Sequence, residues 1–168
     1  IGNSGTANAT LSITPAPAPG FAKAFSPSSI AEGATSTLTF SIDNTGALIP
    51  ASSLDFTDTL PASITVATVP NASTTCTGGT LTAASGAGSI SYSGGTVSAG
   101  GTCTVSVDVL SVSGVDAANT SGDLTSSIGN SGTANATLSI TPAPAPGFAK
   151  AFSPSSIAEG ATSTLTFS

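Results

Sequence analysis

The sequence predicts an all-β protein built as antiparallel immunoglobulin-like β-sandwich modules in a tandem array. Three observations carry this reading. Apolar residues recur every second position in many short runs, as they do on one face of a strand. Gly, Pro, Ser and Thr punctuate those runs, and no segment shows the 3.6-residue period of a helix. Finally, residues 1–41 return letter for letter as residues 128–168, which sets a period of 127 residues.

The repeat sets the domain boundaries. Residues 1–19 read as the last strand and Pro-rich linker of a preceding repeat, residues 20–141 as one complete module, and residues 142–168 as the linker and first strands of the next. The linker is "TPAPAPG", at 14–20 and again at 141–147. Alternating Pro and Ala cannot pair as a central strand and favours the extended, semi-rigid polyproline conformation. The 168 residues therefore read as a stretch of a longer periodic object such as a filament.

Within the module the elements follow in order. "GFAKAFSP" opens it, with Phe21, Lys23 and Phe25 on one face. "TSTLTFSIDN" places Leu38, Phe40 and Ile42 together, and "SSLDFTDTLP" does the same for Leu54, Phe56 and Leu60. "SITVATV" carries Ile64 and Val66; "GTLTA", "SISYS" and "GTVSA" follow, divided by Gly pairs that predict hairpin turns. "TCTVSVDVLSV" aligns Cys103, Val105, Val107 and Val109, and "NATLSIT" closes the module. Eight to ten short strands at this spacing predict a sandwich.

Composition excludes several function classes. The net charge is −6, and Lys23 and Lys150 are the only basic residues, so there is no cluster to neutralise nucleic-acid phosphates. Without His there is no Ser/His/Asp triad and no two-Cys, two-His zinc site. The Gly-rich "GAGSISYSGG" precedes no helix and holds no Lys, which sets aside a phosphate loop. No apolar run approaches the length of a membrane-spanning helix, and Ile1 opens no signal peptide, although an upstream leader is compatible with export. Asp43, Asp55, Asp108, Asp116 and Asp123 are candidates for calcium between modules, but no D-x-D-x-D cluster occurs and isolated Asp usually belongs to turns. No cofactor is expected, and no enzyme activity.

Cys76 and Cys103 are the only cysteines and fall in one module, which predicts a disulfide and an extracellular or cell-surface location. Closing a loop of that size is worth roughly 3 kcal/mol in the chain-entropy model. A light core with seven Phe, one Tyr and no Trp or Met gains from such a staple.

Lys23 is the anomaly. It shares its face with two phenylalanines, while Asp58 shares the face of Leu54, Phe56 and Leu60 and so also points inward. A lone buried ammonium is costly, and burial favours the neutral, nucleophilic amine. An inward acid beside it can hold and return a proton while the amine displaces ammonia from an asparagine side chain. The product is a Lys–Asn isopeptide bond, formed once per module, with Asp58 the catalytic residue of this self-reaction alone. Asn119, late in the module, is the preferred partner because it ties the first strand to a late one. Asn44, inward by parity, is the alternative. The competing reading is a lysine that pairs with Asp58 or reaches solvent along its own alkyl stem.

"KAFSPSSIAEGATSTLTFSIDNTG", "FTDTLP", "CTGGTLTAASGAGSISYSGGTVSAGGTCTVSVDV" and "NTSGDLTSS" together resemble the bacterial extracellular surface repeats called DUF11-like, over the whole module. Ala117 departs from that pattern, which often has an aromatic two residues before the Asn. The resemblance implies an immunoglobulin-like fold and a structural or adhesive role; the Lys, Asp, Asn order is similar to that of isopeptide-bonded pilin and adhesin domains. The expected function is a structural repeat of an extracellular filament, biofilm matrix or giant surface protein, whose partners are neighbouring copies joined head to tail. The alternatives are an adhesin whose loops bind a glycan or a host or cell-surface protein, and a subunit assembled by strand donation.

Overall fold

A computed structural model describes residue 2 and residues 4–168. Its elements are β-strands throughout. The first sheet has the order β1 (Gly20–Ser26), β3 (Thr35–Asp43), β9 (Thr102–Ser111), β5 (Ile64–Val66), with the short β6 (Ser73–Thr74) also pairing with β9. The second has the order β12 (Gly129–Asn130), β11 (Thr125–Ser126), β4 (Ala51–Thr59), β8 (Ser89–Val97), β7 (Thr80–Thr82). A third, smaller sheet joins β10 (Ala117–Thr120), β13 (Asn135–Thr141) and β2 (Ser29–Ala31). All pairings in the module are antiparallel except β13 with β2. The module is an immunoglobulin-like sandwich.

Alternation explains the layering. In β3 and β9, Leu38, Phe40, Ile42, Val105, Val107 and Val109 are fully buried, and the Ser and Thr residues between them are mostly more accessible. Across the core, β4 and β8 contribute Leu54, Phe56, Ile90 and Tyr92. Phe40 and Phe56 meet with ring centroids 4.7 Å apart, and Phe21 and Tyr92 each pack on Phe56. Offset and tilted contacts of this kind add to the burial of apolar area. Leu138 and Ile140 of β13 complete the same core cluster.

Two strand expectations need correction. The glycine pair at 94–95 makes no hairpin: β8 runs straight through it. Facing it, the register of β4 on β8 slips between Ala51 and Asp55, a bulge in which Ser53 has φ 53°. The glycines serve packing instead. A Cβ on Gly95 would stand 2.1 Å from the Tyr92 hydroxyl, which is thus free to donate to the Gly78 carbonyl at 2.8 Å. The second correction is at 8–14, where the first copy of "NATLSIT" forms no strand. Its identical partner, β13, is held by β10 and β2 of its own module, and among the described residues the first copy has no such pairing.

Candidate cross-linking site

Three strands from three sheets each deliver one polar side chain to the same buried point. Lys23 lies on β1 opposite Phe40 of β3, Asp58 near the end of β4 opposite Ile90 of β8, and Asn119 on β10 opposite Ala136 of β13. The parity of each strand turns these residues inward with the apolar ones. All three are buried, and the side chains of Lys23 and Asp58 are wholly inaccessible.

The Lys23 Nζ donates to Asp58 Oδ1 at 3.1 Å and to Oδ2 at 3.3 Å, and Asn119 Nδ2 donates to Asp58 Oδ2 at 2.8 Å. Asp58 is therefore the hub, holding the amine and the carboxamide at once. Nζ also sits 5.7 Å from the Phe40 ring centroid. Desolvation among the phenylalanines pulls the Lys23 amine below its usual pKa, and the charge and hydrogen bonds of Asp58 only partly oppose this. Proton transfer from Lys23 to Asp58 would remove both charges and leave a neutral nucleophile beside an acid. Asn119 Oδ1 is buried and has no hydrogen-bond partner. An unmade acceptor of this kind normally costs about 1–3 kcal/mol. A half turn of the carboxamide would set Oδ1 against a protonated Asp58, satisfying the acceptor and polarising the carbonyl for attack.

Asn44 is not brought to this group. Although inward and buried, it lies beyond the end of β3, where Nδ2 donates to the carbonyls of Ile49 at 2.9 Å and Ser98 at 3.0 Å. Its work is to pin the 45–49 loop. Phe40, the ring nearest the lysine, and Phe56, which packs on it, were legible only as core residues; their shared inward parity with Lys23 and Asp58 was the available signal.

Cys76 and Cys103 form a disulfide. The pairing follows from register: β6 places Thr74 opposite Val105, and the same ladder continued two residues sets Cys76 opposite Cys103. The carboxylates weighed as calcium ligands lie apart. Asp43 caps Thr45, Asp108 accepts from Thr37 and Asn71, Asp116 from the Ile140 amide, and Asp123 from Asn130. Among the described residues no three potential ligands gather, and no helix is long and apolar enough to cross a membrane.

Residues 19–140 match the family described as Domain of unknown function (DUF7933), and the chain belongs to it. The family shown over the module is therefore DUF7933, in place of the DUF11-like repeats expected from the sequence. Among solved structures, the crystal structure of the collagen adhesin (CNA) from S. aureus is similar at a TM-score of 0.48 and 10% identity, covering 71% of this chain and 48% of that one. The chain thus spans about half the length of that adhesin chain. No curated protein matches the sequence.

Proposed function

We propose that this member of the DUF7933 family is a load-bearing repeat of an extracellular filament or giant surface protein, locked internally by a Lys23–Asn119 isopeptide bond. The observation that carries the proposal is the fully buried contact of Lys23, Asp58 and Asn119. A buried ion pair is seldom favourable against apolar side chains of similar volume, so stability alone is a poor reason to place one here.

In the reaction, Asp58 takes a proton from the Lys23 ammonium, and the neutral Nζ attacks Asn119 Cγ. The Cγ–Nδ2 bond breaks while Asp58 carries a proton from Nζ to the departing nitrogen. An amine and a primary amide thus become a secondary amide and free ammonia, with no oxidant or cofactor. The reaction is self-directed and happens once, so the module is not an enzyme. The disulfide and the Ser- and Thr-rich, nearly Lys-free composition support an extracellular setting.

The adhesin reading has less support. The lone Tyr is buried and Trp is absent, so the module lacks the exposed Tyr and Trp side chains that commonly stack on sugars or anchor interfaces.

Intact mass under reducing conditions tests the bond. The expected result is a loss of about 17 Da, the mass of the ammonia leaving group, per complete module. Lys-C digestion should then release the chain after Lys150 and leave Lys23 uncut. An unchanged mass, or cleavage at both lysines, rejects the cross-link.

A further inference from the structure

We propose that consecutive repeats meet in a fixed joint, in which Leu48 and Ile49 of one repeat pack against the 112–115 loop of the repeat before it, across a single shared proline. This rests on the tandem reading above. It follows from the two identical linkers, which lie in different surroundings: one enters a module and the other leaves it.

The outgoing linker is held by the module it leaves. The Glu32 amide donates to the Thr141 carbonyl at 2.9 Å, and Glu32 Oε2 accepts from the Ala143 amide at 3.0 Å. Pro142 lies so close to Gly114 that a Cβ there would stand 2.6 Å from the proline ring. The incoming linker is held by the module it enters. Pro19 is buried, Ala18 Cβ lies 3.2 Å from the place a Cβ of Gly129 would take, and Pro17 Cγ lies 3.7 Å from that of Gly46.

Because the linkers are identical, both sets of contacts fall on one segment in an array. Thr14, Pro15 and Ala16 correspond to Thr141, Pro142 and Ala143, so the first three residues are gripped by the repeat before. Pro17, Ala18 and Pro19 are gripped by the repeat after. No residue is left between the two grips to act as a swivel, and the alternating prolines are themselves stiff.

The same superposition gives the exposed apolar loops an occupant. Pro15 shares a cleft of about 470 Å³ with Leu48 and Ile49, and Leu48 is 96% exposed. Its counterpart Pro142 rests on Gly114, between Val112 and Val115, and Val115 is 65% exposed. One proline of the array therefore borders both loops, and bringing them together covers apolar surface that a single module leaves in water.

The test is a protein of two complete repeats, made by extending the chain with its own period. Residual dipolar couplings are measured for each repeat, with intact mass taken on the same sample. The joint predicts one alignment tensor shared by both repeats. Leu48→Asp in the second repeat with Val115→Asp in the first should split it into two, leaving the melting temperature of each module within a degree or two. Independent tensors in the unaltered protein, or a shared tensor that survives both substitutions, overturn the joint. Independent tensors with about 17 Da lost per repeat reject the joint and leave the cross-link standing. A shared tensor without mass loss does the reverse, and repeats that do not fold as separate units reject the joint together with the tandem reading.

Discussion

The same seven residues, "NATLSIT", meet two fates in this chain. At 135–141 they form β13, with Leu138 0% and Ile140 4% exposed. At 8–14 they form no strand, and Leu11 and Ile13 are 83% and 80% exposed. The opening strands behave differently. "KAFS" and "TLTF" pair as β1 with β3, and their copies pair again as β14 (Lys150–Ser153) with β15 (Thr164–Phe167), in the same register and with an equivalent phenylalanine stack. Yet Phe152, Phe167 and Lys150 are all exposed there. A pair of strands close in sequence finds its register alone, whereas a strand whose partners are remote needs the rest of the module. Even then a hairpin by itself buries nothing on its apolar face. The short β2 makes the same point: it exists through β13, and its copy at 156–158, which pairs with no strand among the described residues, is no strand.

The largest expected effect separates Lys23 from its copy Lys150. Stretched from its ends in a force spectrometer, a cross-linked module should keep residues 24–118 folded behind the bond. With the Cys76–Cys103 disulfide reduced, Asn119→Ala should then add about 330 Å of extension, roughly 95 residues at about 3.5 Å each. Lys150→Ala should add none. Equal extension for Asn119→Ala and the parent chain would rule out the covalent lock.

Next, Leu138→Ala should destabilise the module by about 2–5 kcal/mol through the cavity it leaves, whereas Leu11→Ala should cost under about 0.5 kcal/mol. Denaturant melts of the two variants decide it, and similar losses would mean that the first copy is also packed. Replacing both cysteines by serine should cost roughly 3 kcal/mol by the same measurement, since the closed loop spans 27 residues.

The smallest effect is a pH slope. Without a cross-link, as in Asn119→Ala, Lys23 has a folded-state pKa below its unfolded value, so the unfolded chain binds the extra proton. Stability should rise with pH from that lowered pKa up to the ordinary lysine range, and level off above it. Thermal melts of Asn119→Ala should show the rise, and a Lys23→Met, Asn119→Ala double variant should lack it. In the cross-linked parent the nitrogen is an amide and contributes no slope; a slope equal to that of Asn119→Ala would argue against the bond.

The sequence by itself determined the fold class, the inward face of each long strand and the pairing of the only two cysteines, because alternation with a period of two is a local property. It also turned Lys23 and Asp58 inward by parity. What only the tertiary structure decided was contact between strands far apart in the chain. Asn119 and Asn44 are both buried asparagines, and β10 carries the first to Asp58 while the end of β3 holds the second on its own loop. The glycine pair at 94–95 could be read locally only as a turn, because the Tyr92 ring that requires it arrives by cross-strand packing. Likewise "NATLSIT" carries the same side chains in both copies. Its fate depends on whether β10 and β2 are there to take its hydrogen bonds and cover its leucine.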